Sequence, residues 1–369
     1  MELKKAHFWK GILLLLITFL LIFAQFPEAV EKYYSSGFYP FFGKYLRLLT
    51  IWCPVSIGDM LYLVAIFYII FISIKILYIG CRFRRWPTLK KFLFATFLWL
   101  VIGYAFFKLC WGLNYNRRDI GYSMGITAVP YTIPELKLLN AQLIQRLNEA
   151  RKKIPGDSLP TVSWEEQKQL AIDAYTTLAI KNSRFTYAYP SIKKCSWNFW
   201  GDWIGFTGYY NPFSGEAQVK ADLPGILQPY ITCHEIGHQI GFAREREASF
   251  VGFLAASASQ DIRLKYSLYL DIFSLVQQEL WRQYAAVGDS SGLRIQLDSN
   301  RKQLDTLVKL DRRAIRRYFQ QRSHQITPAF TQVYTQYLKA NGQPAGMLSY
   351  NEVLGWILGY QKKYGDNSW

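Results

Sequence analysis

Residues 60–80 read MLYLVAIFYIIFISIKILYIG, an apolar stretch interrupted only by Lys75. A helix rises 1.5 Å per residue, so this run can cross a hydrocarbon core of roughly 30 Å. Working outward, two more runs appear. Residues 92–111 read FLFATFLWLVIGYAFFKLCW, and residues 11–26 read GILLLLITFLLIFAQF. The first of the three in chain order is short, but extends if Ala29 and Val30 are counted. Lys4, Lys5 and Lys10 precede it, as in a signal peptide. No small-x-small cleavage site follows at Phe23-Ala24-Gln25-Phe26, so it reads as a retained anchor. Lys75 and Lys108 stand near helix ends, where their stems can reach the interface. No comparable run follows Trp111.

The basic residues set an orientation. The N-terminus carries Lys4, Lys5 and Lys10, and the segment between the second and third runs carries Arg82, Arg84, Arg85, Lys90 and Lys91. The segment between the first and second runs has only Lys32, Lys44 and Arg47, offset by Glu28 and Glu31. The positive-inside rule puts the N-terminus in the cytoplasm and everything after Trp111 outside it, in a bacterium the periplasm or exterior. The net charge of +17 is therefore no nucleic-acid signature. Residues 1–113 hold 13 Lys/Arg against 4 Asp/Glu, a share that topology explains, and the rest hold 30 against 22. That remaining excess suits a face near anionic headgroups. The expected partners are thus the lipid bilayer and a peptide or protein substrate, with no nucleic acid.

The expected architecture is mainly α. Three N-terminal transmembrane helices (residues 1–113) precede a helical extracytoplasmic domain (114–369). Residues 28–58 read as an external loop rich in aromatics. Thr132-Ile133-Pro134-Glu135 and Ser163-Trp164-Glu165-Glu166 are helix starts, the second a capping box. Helical patterns cover about 225–240, 246–260, 263–286, 294–323, 327–340 and 349–363. Residues 197–220, WNFWGDWIGFTGYYNPFSGEAQVK, differ: aromatics, Gly and turn signals suggest a short hairpin or irregular strands. Of the five cysteines, Cys195 and Cys233 could pair in an oxidising compartment, and no CxxC pair marks a structural zinc cluster.

The chemistry lies in residues 232–250, TCHEIGHQIGFAREREASF. His234-Glu235-Ile236-Gly237-His238 is an HExxH motif. Residues four apart share a helix face, so both imidazoles can meet one ion, while Glu235 is offset and reaches a metal-bound water as general base. Zinc suits such a site, because it takes nitrogen and oxygen ligands, keeps a position open, and lowers the pKa of water there. Gly241 can end the helix in a left-handed turn, after which Glu245 or Glu247 could supply the third ligand. Tyr209, Tyr210 or His324 could stabilise an oxyanion, although a packing role is the ordinary one for such residues. Glu216 could bind a substrate amine, with a solvated carboxylate as the plainer reading. Arg244 and Arg246 could hold carboxylates or face solvent.

HExxH followed by Glu245-Arg246-Glu247-Ala248 resembles the gluzincin metallopeptidases. That resemblance implies a zincin-like domain and selects Glu245, three residues before Ala248, as the ligand, leaving Glu247 as an outer partner or substrate contact. The gap from His238 to Glu245 is shorter than in most gluzincins, and Arg244 stands where a metzincin would have its third histidine. Trp111-Gly112-Leu113-Asn114-Tyr115, Tyr209-Tyr210-Asn211-Pro212-Phe213 with Glu216-Ala217, and the HExxHxxGFAxExEA segment resemble an uncharacterised bacterial membrane family, the domain of unknown function 3810. Two function classes follow. One is a zinc peptidase acting on extracytoplasmic peptides or proteins. The other is a non-catalytic metal-binding membrane protein that binds a partner. Glu235 favours the first, because a structural site needs no base. Intramembrane cleavage fits poorly, since Gln228, Pro229 and Gln239 break any apolar run around the motif.

Overall fold

The computed structural model describes residues 2–83, 86–322, 327–366 and 369. They form two compact units. The first comprises Met1–Arg118 together with Asn211–Glu216, and the second comprises Asp119–Tyr210 and Ala217–Trp369.

In the first unit, α1 (Glu2–Phe23), α2 (Tyr39–Thr50), α3 (Ile57–Phe83) and α4 (Trp86–Cys110) carry the apolar runs. Ile57–Ile79 and Leu89–Cys110 are long and apolar enough to span a membrane. Their large side chains point outward, as Leu77 and Leu100 do, and such an apolar exterior suits lipid. The first apolar run departs from the expectation of one continuous span through Ala29 and Val30. Lys10–Phe23 and Pro27–Thr50 meet at a bend of 100°, so they make a third span only if the bent pair counts as one. The bend has a covalent cause. Pro27 lacks an N–H and opens a new helical turn, and the chain turns through Ala24–Phe26. The expected loop over 28–58 is largely helical instead: a π-helical stretch Val30–Phe38 runs into α2. Of the basic flank used for orientation, Arg84 and Arg85 lie outside the described residues.

Glu216 corrects another expectation. Its side chain is fully buried, not solvated. The carboxylate accepts the Gly58 N–H at 2.6 Å, the Ile57 N–H at 3.1 Å and the Ser56 hydroxyl at 3.3 Å. It thus satisfies the orphan donors at the start of α3, where the helix dipole also favours an anion. Asn211 Oδ1 accepts the Phe213 and Ser214 N–H groups and fixes the tight turn. Gly58 is required there: a Cβ would come within 2.6 Å of the Asn211 side chain.

The second unit is helical around a small sheet. In order it contains α5 (Ile133–Lys153), α6 (Trp164–Lys181), β1 (Ile192–Lys194), α7 (Asn198–Ile204), β2 (Gly208–Asn211) and β3 (Glu216–Val219). Then come α8 (Gln228–Gln239), α9 (Glu245–Ala258), α10 (Ile262–Ala286), α11 (Ser290–Gln303), α12 (Thr306–Arg322), α13 (Thr327–Ala340) and α14 (Val353–Tyr364). Capping boxes at Thr132 and Ser163 start α5 and α6. Leu136, Leu139, Leu143 and Leu147 line the buried face of α5 and join one core with Phe250, Phe253 and Phe273. The sheet order is β1-β3-β2, with β1 parallel to β3 in the register Ile192↔Ala217. The aromatic 197–220 stretch is therefore a short helix followed by the hairpin. The single helix expected over 294–323 is broken at Leu304-Asp305, where Asp305 caps a new start by accepting the Leu307 N–H. Cys195 and Cys233 are separate buried thiols.

Candidate metal centre

The HExxH segment lies on α8, which ends where Gly241 adopts φ 100° and the Phe242 N–H bonds back to Gly237 O. The chain then re-enters as α9. The two helices cross closely because two glycines allow it. A Cβ on Gly237 would meet the Ala248 backbone at 3.0 Å, and one on Gly252 would meet the His234 backbone at 3.1 Å. Ala248 is small for the same reason. This crossing carries the first turn of α9, and with it Glu245, to the face that bears both imidazoles.

His234 Nε2 lies 3.2 Å and His238 Nε2 3.4 Å from Glu245 Oε2. The three residues offer donor atoms that all lie within 4.8 Å of one another. The opposite ring nitrogens are engaged elsewhere. His238 Nδ1 meets the Phe242 carbonyl at 2.8 Å and His234 Nδ1 meets the Ser249 hydroxyl at 3.1 Å. A carbonyl only accepts, so a His238 proton sits on Nδ1, and Nε2, which faces Glu245, is the atom that must lose its proton to take an ion. Glu245 Oε2 is buried and accepts no hydrogen bond. A buried carboxylate oxygen needs positive charge beside it, which a protonated His238 supplies in the ion-free protein and a bound cation would supply once both imidazoles are deprotonated. The residues present therefore fit a cation.

The electrostatics agree. Without an ion, burial disfavours a charged Glu245, yet the two imidazoles outweigh it and hold its carboxyl well below the usual range. Burial lowers His234. It also works against a charged His238, but Glu245 prevails and pushes that group up to about 9. Burial, with the Glu245 charge added, pushes Glu235 up to about 8 against the pull of His238. Glu235 stands outside the triad of donor atoms. Its Oε1 faces β2, and a Cβ on Gly208 would come within 2.7 Å of it. β2 is an edge strand of the sheet.

The other sequence candidates are placed as follows. Glu247 faces away from the imidazoles, where its Oε1 accepts the Ile120 N–H at 3.1 Å and pairs with Arg244 at 3.2 Å. Arg246 pairs with Glu352 at 2.6 Å. Tyr210 shares the strand face of Gly208 and Tyr209 takes the opposite one, by the alternation of β2. The Tyr209 ring packs edge-on against Phe206. His324 lies outside the described residues. Sequence reasoning missed Tyr334 and Tyr350. The Tyr334 hydroxyl donates to Glu245 Oε1 at 2.8 Å, and the Tyr350 ring stacks on His234 with centroids 6.1 Å apart. It also missed Gln343, whose Oε1 accepts the Glu245 N–H at 2.9 Å. All three come from α13 or the segment behind it, far beyond the motif in sequence, and no local pattern announces them.

Residues 34–358 match the protein family described as protein of unknown function (DUF3810). The chain belongs to this family. The match covers α2 through the first half of α14, so the matched range includes residues of both compact units and the HExxH segment. No curated protein and no solved structure matches the chain.

Proposed function

We propose that this family member is a membrane-anchored zinc-dependent metallopeptidase of zincin-like architecture, hydrolysing peptides or proteins on the extracytoplasmic side. The observation that carries the reading is the convergence of two imidazole Nε2 atoms on one unsatisfied carboxylate oxygen, with a further carboxylate beside them. The 3.2 and 3.4 Å separations of the two imidazole nitrogens from Glu245 Oε2 are short enough for the three residues to share one small cation. His234, His238 and Glu245 would hold the ion. Bound zinc would polarise a carbonyl and lower the pKa of water at its open position.

The chain's own residues divide the remaining work. Glu235, buried and outside the ligand triad, takes the proton from the attacking water and passes it to the leaving amine. Its raised affinity for protons, set by burial, suits a group that must accept and release one near neutral pH. β2, an edge strand beside Glu235, is where an extended peptide would lie, and Gly208 lets the Glu235 carboxylate approach that strand closely. The extracytoplasmic orientation rests on the basic flanks of the apolar helices.

Glu235→Gln tests the reading. The variant should retain metal, because Glu235 is not among the converging donors, and should lose turnover by about 10²–10⁴-fold. Peptides released outside the cytoplasm are compared by mass spectrometry between wild type and variant, with metal content measured on the purified proteins. Stoichiometric metal with wild-type cleavage in Glu235→Gln would refute the assigned role. A wild type that binds the ion and cleaves nothing would favour the partner-binding class instead.

A further inference from the structure

Glu245 presents its two oxygens to different chemistry. Oε2 faces the imidazoles, whereas Oε1 accepts the Tyr334 hydroxyl at 2.8 Å. Tyr350 reinforces this arrangement, lying beside Tyr334 and Glu245 and stacking on His234. Gln343 fixes the backbone of the same residue by accepting its N–H. The residue is thus held at several points, and the contact to Oε1 comes from a different helix from the one that carries it.

A carboxylate can bind an ion through one oxygen or both, and the choice sets coordination number. Calcium and manganese sites draw on six or more oxygen ligands and use two-oxygen carboxylates freely, whereas zinc with nitrogen ligands settles at four. A phenol donating to Oε1 competes with an ion for that oxygen and so disfavours two-oxygen binding. We propose that Tyr334 is a positioning residue that sets the ion preference of this site: it confines Glu245 to one-oxygen ligation and so favours a small, four-coordinate cation over larger, oxygen-seeking ones. The inference rests on Glu245 being a ligand, as proposed above.

The test compares full-length wild type and Tyr334→Phe in detergent, with zinc and manganese affinities read by chelator competition and the cobalt-substituted proteins read by visible absorption. The phenylalanine keeps the ring and removes only the donor. Zinc affinity should fall about 10–100-fold, the usual cost of losing an outer partner of a ligand. Manganese affinity should fall much less or rise, so that the zinc-to-manganese ratio drops by about tenfold or more. The cobalt protein should lose the intense absorption of a four-coordinate site. A tyrosine that merely supports the fold would weaken both ions alike and leave the cobalt bands in place, and that result would overturn the proposal. A wild type that binds neither ion would overturn the metal reading itself, before any variant is compared. Should Tyr334→Phe fail to fold, infrared difference spectra of zinc-free and zinc-loaded wild type still decide. Carboxylate bands of one-oxygen ligation support the proposal, and bands of two-oxygen ligation sink it.

Discussion

Two buried carboxylates, one in each compact unit, are satisfied in opposite ways. Glu216 meets the amide end of α3, with two backbone N–H groups and a hydroxyl donating to it. Its charge is fully answered by groups that cannot leave. Glu245 meets one phenol on Oε1 and two imidazoles across Oε2, which accepts no hydrogen bond. Burial of a charge must be compensated in both places. In the first unit the backbone supplies the compensation, and the result is an anchor. In the second it comes from neutral or titrating rings, which become full partners only when a positive charge sits among them. An acidic residue near a motif therefore says little by itself; the donors that surround it distinguish a structural carboxylate from a binding one.

The sharpest way to break this comparison is to remove the members of the second set. His234→Ala, His238→Ala and Glu245→Ala should each reduce metal content to background, a loss exceeding the roughly 10–100-fold cost of disturbing an outer partner. Glu247→Ala should leave the ion in place. Glu247 serves the Ile120 N–H and Arg244, so its loss should cost about 1–3 kcal/mol of stability instead. Metal analysis and thermal unfolding of the four variants check this, and stronger metal loss in Glu247→Ala than in Glu245→Ala would show that Glu247 is the ligand.

A second, smaller effect probes the first carboxylate. Glu216→Gln replaces an acceptor-only group by one that carries its own donor, and turns an N–H towards the start of α3. The first unit should lose about 1–3 kcal/mol, because a buried donor goes unanswered. Metal content should not change. A Glu216→Gln protein that melts like wild type would mean the three hydrogen bonds contribute little. Zinc loss with intact melting would mean that the two carboxylates are not independent.

The legibility of the sequence follows the same division between local and distant. His234, Glu235 and His238 are readable because a four-residue spacing fixes one helix face, and Gly241 marks the turn that follows. The preference for Glu245 over Glu247 rests, in sequence, on a motif resemblance, whereas the physical ground lies in Gly237, Ala248 and Gly252, which let α8 and α9 cross closely. Once that crossing is known, Glu245 falls beside both imidazoles, whereas Glu247 points to the Ile120 N–H and Arg244. Tyr334, Tyr350 and Gln343 are not legible: each is one polar residue in an ordinary stretch, given meaning by where α13 and the segment behind it pack. Hydropathy finds the two long apolar helices but misses the bend at Pro27, because composition does not register a lost N–H. Asp305 is a readable helix start, hidden inside a long helical pattern whose periodicity runs on either side of it. Glu216 looks solvated because nothing in its neighbourhood of sequence names Ser56–Gly58 as its donors.

The last contrast is a pH dependence of the ion-free protein. The Glu235 carboxyl is raised from its ordinary 4.5 to about 8, chiefly by burial. A group whose folded value exceeds its unfolded one contributes stability that is present in full below the unfolded value and is lost as pH rises through the folded value. For Glu235 that loss runs from about 4.5 to about 8. His238, raised against burial from 6.5 to about 9 by Glu245, adds a loss of the same sign between those values. Glu245 has the opposite sense, since its lowered value contributes stability above 4.5, and it is constant throughout this window. The chelator-treated protein should therefore melt at progressively lower temperature from about pH 6 to about pH 9. One proton limits the share of each group to about 1.4 kcal/mol per pH unit. Glu235→Gln cannot ionise and should show a shallower decline below about pH 8, while keeping the part due to His238. Zinc should reverse the trend in wild type, because its ligands bind deprotonated and its affinity rises with pH. Melting curves across this range, with and without chelator, read both slopes. Parallel lines for wild type and Glu235→Gln would show that Glu235 is already ionised and hydrated in the folded protein, and that the contrast with Glu216 is one of position alone.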